Sequence, residues 1–151
     1  MKIMLKTLAL AVLTALPLTA ITAEPEKPTV EKTHKVVFEV AIDGADKWQG
    51  VLRNVENVQK ALGAKTKIEV VTHGKGVGML LAKTSAENAE LKAKLDQLHA
   101  VGVVFAACEN TMKREKLEKK DLVEISTTVD SGVSEVIRKQ EDGYAYIKSG
   151  G

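Results

Sequence analysis

One thiol stands in the 151-residue sequence, Cys108, and it closes an apolar, β-branched run before Glu109, Asn110 and Thr111 open a charged helical pattern. A buried strand that hands a thiol to the start of a helix favours thiolate over thiol. The first N–H groups of a helix are unpaired and its N-terminus carries partial positive charge. The thiolate is the nucleophilic form, so this spacing offers sulfur chemistry. The competing reading is an inert one, because free cysteine is among the most buried residue types and often serves as a small hydrophobe. His73 begins a glycine-rich turn, His73-Gly74-Lys75-Gly76-Val77-Gly78. It fits neither phosphate-binding pattern, since no Lys-Ser/Thr pair closes it and its third glycine comes too early for the dinucleotide fingerprint. Turn geometry is the simpler account. His34, His73 and His99 share no zinc-ligand spacing with each other or with Cys108.

Five strands and their connecting helices must position these groups. Lys35 to Ile42 is rich in β-formers and reads as the first strand. Asp43 and Gly44 break it, and Asp46 is the expected cap of a helix from Lys47 to Leu62. In that helix Trp48, Val51, Leu52, Val55, Val58 and Leu62 recur at a helical period, and Gly63 stands where a C-terminal glycine belongs. Thr66 to Thr72 is the second strand, and a short helical turn is expected over 77–82. Thr84 and Glu87 form a capping-box pattern that opens a helix to about Ala100, with Leu91, Leu95 and Leu98 on one face. The third strand is expected from Val101 to Ala107, buried on both faces. A charged helix over 111–119, a short fourth strand over 122–125 and a loop over 127–132 follow. The last helix spans 133–140, with Val133, Val136 and Ile137 expected inward, and Tyr144 to Lys148 is the fifth strand.

Strands that alternate with helices imply right-handed crossovers and a mostly parallel sheet covered on both faces. The expected fold is α/β, a flavodoxin-like doubly wound sheet of five strands in the order 2-1-3-4-5. Ligands in such sheets bind beyond the carboxyl ends of the strands, where strand order reverses. That point is expected between strands one and three. Asp43 and Gly44, His73 to Gly76, Cys108 to Thr111, and Asp130 to Gly132 emerge at that end of the sheet. Cys108 is the candidate catalytic residue, with Asp43, His73, Asn110, Thr111, Ser131 and Gly132 as candidate pocket residues. Asn110 and Thr111 are also natural helix caps. With strand one expected between strands two and three, His73 is not favoured as a base for Cys108.

Composition narrows the partners. Lys2 and Lys6 precede an apolar stretch, Leu8 to Leu16, and Ala23 ends a small-residue segment before a polar shift, which is the layout of a secretory signal peptide. Cleavage after Ala23 or Ala20 and a periplasmic or otherwise exported location are expected, with no membrane attachment afterwards. Residues 24–34 read as a flexible tether, leaving 35–151 as one domain. Removing 1–23 leaves 20 basic and 20 acidic residues, a balance that argues against nucleic acid as a partner. With aromatics at 3%, the core must come from aliphatic side chains. One cysteine forms no internal disulfide.

Cys108-Glu109-Asn110-Thr111-Met112, Ser131-Gly132-Val133, Gln140 and Gly143-Tyr144-Ala145-Tyr146 together resemble the DsrE/DsrF-like (YchN-like) family of small sulfur-relay proteins, over about 35–148. The resemblance implies a flavodoxin-like fold assembled as a homotrimer or homohexamer, and no cofactor. It also implies that Cys108 accepts a sulfane sulfur as a persulfide and exchanges it with a thiol-bearing donor or acceptor protein. The expected function is therefore sulfur carriage, transfer or sensing, at most a sulfurtransferase-like activity. The alternative is a structural or small-ligand-binding homo-oligomer with an inert cysteine.

Overall fold

The computed structural model describes residues 33–149. The expected leader, 1–23, and the tether up to residue 32 lie outside the described residues. Strands β1 (Lys35–Val40), β2 (Lys67–Thr72), β3 (Val104–Cys108), β4 (Ser126–Val129) and β5 (Ala145–Ser149) form one sheet in the order β4-β3-β2-β1-β5. Every pairing is parallel. The α/β class and the parallel five-stranded sheet are as the sequence predicts. The strand order is not: β2, and not β1, lies beside β3. Burial accounts for this. All but the first residue of β2 is buried, which suits a strand with neighbours on both sides. β5, mostly exposed, takes the edge beside β1.

Helices α1 (Ala45–Leu62), α2 (Ala82–Glu87), α3 (Ala89–Ala100) and α4 (Glu109–Arg114) occur in the outward run from β1 to β4, and α5 (Gly132–Glu141) carries the chain back to β5. Right-handed crossovers in opposite directions place helices on opposite faces. One face of the sheet, with Val36, Phe38, Val40, Ile68, Val70 and Phe105, holds the main core against α1 and α3. From α1 the core takes Trp48, Val51, Leu52 and Val55, each worth roughly 1.5–3 kcal/mol of apolar burial. The Trp48 indole N–H also donates to the Ile42 carbonyl at 2.9 Å. The opposite face holds a smaller cluster, in which Val37, Val71 and Ala106 meet Val136 of α5.

Local details depart from the sequence reading in physically simple ways. Gly44, and not Asp46, is the N-cap of α1, leaving Asp46 in the first turn. The expected helix from Thr84 is two helices broken at Asn88, whose side chain accepts from the Leu91 N–H at 2.9 Å and so starts α3. β3 begins only at Val104, because Gly102, at φ 92°, turns the chain after α3. Leu122 makes an isolated bridge to Leu81, and the fourth strand is Ser126–Val129, which runs into the loop expected over 127–132. Of the three apolar residues expected inward on α5 only Val136 is buried, while Val133 and Ile137 are 55% and 51% exposed. The glycine-rich turn is a 3-10 helix, Gly74–Leu80. A Cβ on Gly76 would stand 2.0 Å from the Val40 carbonyl oxygen, so this turn lies directly on the end of β1.

Candidate functional site

Cys108 is the last residue of β3 and the N-cap of α4, so the expected caps Asn110 and Thr111 are instead its second and third helical residues. After β3 the chain continues into α4, whose Met112 joins the main core. After β4 it enters α5 on the opposite face. The crevice rule for open sheets therefore places the opening between β3 and β4, not between strands one and three. Gly132, the first residue of α5, occupies that opening. A Cβ there would stand 3.0 Å from the His73 Cβ and 3.3 Å from the Cys108 Cβ. Only a residue without a side chain fits between them undisturbed.

The sulfur is 5% exposed at the level of its residue. Burial pushes the thiol pKa up. The N–H of Gly132, the N–H and hydroxyl of Thr111, and the N–H of Asn110 outweigh it and hold the pKa below its ordinary value. The first turns of α4 and α5 thus converge on one sulfur atom, and each donor favours the anion. Thr111 is itself held in place, because its hydroxyl accepts from the Gly74 N–H at 3.0 Å. Accepting that bond leaves its own hydrogen free for the sulfur. Glu109, adjacent in sequence and a potential opponent of the thiolate, is turned away and accepts from the Thr128 hydroxyl at 2.9 Å.

The true strand order also brings His73 beside Cys108. Thr72 pairs with Ala107, so the next residues, His73 and Cys108, are neighbours on the face that α5 covers. The expectation that β1 separates them is overturned by the direct β2–β3 pairing. His73 Nε2 lies 2.7 Å from Glu39 Oε1, and the other carboxylate oxygen of Glu39 accepts a short hydrogen bond from the Tyr146 hydroxyl. Burial alone would raise the Glu39 pKa, but Tyr146, His73 and Lys148 bring it below the usual carboxylate range. Tyr146, donating to that carboxylate, is pushed up to about 12.

The other candidates divide. Ser131 caps α5, its hydroxyl accepting from the Ser134 N–H at 3.3 Å. Asn110 contributes its N–H, while its residue is exposed. Asp43 is exposed in the loop after β1 and is not among the groups that hold the Cys108 pKa down. Glu39 and Tyr146 escaped the sequence reading. The available signal was an acidic residue within an otherwise apolar strand, at the same parity as Val37. Among the described residues no cluster of three or more His, Cys, Asp or Glu side chains is arranged to hold a metal ion.

Residues 35–149 match the DsrE/DsrF-like family. No curated protein matches the chain significantly. Among solved structures, that of a protein of unknown function from Methanobacterium thermoautotrophicum is 32% identical, with a TM-score of 0.68, over 76% of this chain and 98% of that one.

Proposed function

Since this chain belongs to the DsrE/DsrF-like family, we propose that it carries sulfur: Cys108 takes a sulfane sulfur as a persulfide and yields it to a partner thiol. The observation that carries this reading is the sulfur itself, set at the carboxyl end of β3 where N–H groups from the first turns of α4 and α5 hold its pKa down. A lowered pKa raises the share of thiolate at a given pH, and thiolate attacks sulfane sulfur by the chemistry of thiol–disulfide exchange. A single cysteine with no resolving partner suits a carrier better than a dithiol oxidoreductase. Catalysis in this reading is limited to a sulfurtransferase-like transfer.

The protein is further proposed to act after export, with 1–23 removed, and to assemble as a homotrimer or homohexamer. Val133 and Ile137 on α5, with half-exposed Val104 and Tyr146, supply an apolar surface for a second copy. Among the described residues no helix is long and apolar enough to cross a membrane.

Incubation of the purified protein with polysulfide, followed by intact-mass measurement, tests the carrier reading. The expected product is heavier by about 32 Da, one sulfur atom, and is lost in Cys108→Ser. The low exposure of Cys108 favours the inert alternative, which holds if the native thiol resists a small alkylating reagent and reacts only after unfolding.

A further inference from the structure

Four adjacent strands each place one chemically active residue on the same face of the sheet. Val37 pairs with Tyr146 and Glu39 with Val71. Tyr146 of β5 is therefore diagonal to Glu39 of β1, which is diagonal to His73 at the end of β2, which neighbours Cys108 of β3. Hydrogen bonds join the first three members. An ionised carboxylate accepts only, so Glu39 fixes the proton of neutral His73 on Nε2 and leaves Nδ1 as the basic nitrogen. Second partners that orient an imidazole in this way are a recurring device for proton transfer.

We infer that His73 exchanges a proton with the sulfur at Cys108, with Glu39 as its positioning residue and Tyr146 fixing the Glu39 carboxylate. This deepens the carrier reading and rests on it for its biological use. In the loading step the Cys108 thiol first gives its proton to His73. The thiolate then attacks the outer sulfur of a donor persulfide, R–S–SH. The donor S–S bond breaks and a new S–S bond forms on Cys108. The departing thiolate takes the proton from the imidazolium and leaves as R–SH. The products are Cys108–S–SH, R–SH and neutral His73, so charge and protons balance without an external oxidant. Among the described residues, Asp130, whose carbonyl accepts from the Asn110 N–H, is ion-paired to Arg138 of α5. Glu39 faces His73 from β1, Lys148 on β5 acts on Glu39, α5 presents the uncharged Gly132, and Glu109 is engaged by Thr128.

The test is the pH dependence of Cys108 alkylation by iodoacetamide, in the wild type and in His73→Gln, Glu39→Gln and Tyr146→Phe. His73→Gln removes the group that takes the thiol proton and is expected to slow alkylation near neutral pH about tenfold. Glu39→Gln leaves the imidazole without its carboxylate acceptor and is expected to slow alkylation by less than His73→Gln does, whereas a merely structural carboxylate would leave the profile in place. Tyr146→Phe, at an exposed position, has the same effect to a smaller extent. Profiles superimposable on the wild type overturn the inference. Should His73→Gln fail to fold, an alkylation profile unchanged in both Glu39→Gln and Tyr146→Phe overturns it equally. Sulfur loading from glutathione persulfide is followed in parallel. A wild type with a His73-dependent alkylation profile that gains no sulfur ends the carrier reading and leaves the proton exchange intact. Loading with a profile indifferent to His73 and Glu39 does the reverse.

Discussion

Thr111→Val separates an activated thiol from a merely buried one. The Thr111 hydroxyl serves two bonds, accepting from Gly74 at 3.0 Å and favouring the Cys108 anion. Valine keeps the branched shape and removes both. A hydrogen bond to a charged group contributes about 1.5–3 kcal/mol. At 1.36 kcal/mol per pKa unit, its loss corresponds to a rise of about one to two units in the thiol pKa. The thiolate fraction at neutral pH then falls about ten- to a hundredfold. Intrinsic nucleophilicity rises with pKa, with a Brønsted slope of about 0.4–0.5, and returns part of that loss. The net expectation is alkylation slower by roughly three- to tenfold at pH 7, with the apparent thiol pKa displaced upward. The Gly74 N–H loses its acceptor, so unfolding free energy is expected to drop by about 1 kcal/mol. Iodoacetamide kinetics across pH, together with urea unfolding, measure both. A variant that loses stability while its alkylation profile stays in place would refute the claim that this hydroxyl activates the sulfur.

Three further outcomes are expected. Because the native Cys108 pKa lies below its ordinary 9.0, the native state releases this proton at lower pH than the unfolded chain does. The stability of wild type relative to Cys108→Ser should therefore grow as pH rises through the native value, level off above 9.0, and be lost again on acidification, as urea titrations at several pH values would show. Gly132→Ala forces a Cβ to within 3.3 Å of both the His73 and Cys108 Cβ atoms. Overpacking of about 1–3 kcal/mol is expected by thermal unfolding, together with a raised thiol pKa as the Gly132 N–H is displaced. Lys139→Met strands Glu69, which is 6% exposed and ion-paired to Lys139 at 2.5 Å. The expected loss is about 2–3 kcal/mol at pH 7, less than for a fully enclosed pair because Lys139 is partly solvated. It should shrink toward pH 5, since burial already raises the Glu69 pKa and its protonation relieves the unpaired charge.

The sequence exposes most of the fold because periodicity reports burial. Trp48 to Val55 and Leu91 to Leu98 mark α1 and α3 by their apolar spacing, and β1, β2 and β3 by their β-branched residues. Periodicity does not report neighbours. A crossover from β2 can lead to β3 on either side of β1, and the residues of the connection read alike in both cases. The error in strand order carried directly into the site, since it placed β1 between His73 and Cys108. Cys108, Thr111 and Gly132 were legible because loops after parallel strands are where such sheets work. Glu39 and Tyr146 were not, since their partnership depends on which strands lie side by side. The Thr127–Val129 part of β4 reads as loop because a short edge strand has little need of apolar residues.

The row from Tyr146 to Cys108 has an architectural price. Each of its members hangs from a different rung-bearing chain segment, and side chains alternate faces with every residue. An insertion or deletion of a single residue within β5, β1, β2 or β3 would swing that strand's contribution to the far side of the sheet and cut the row, even where the hydrophobic interior could be refilled. Descendants of this chain can therefore vary in length at loops away from the thiol, yet the spacing inside these four strands is bound to the thiol's surroundings as tightly as to the fold.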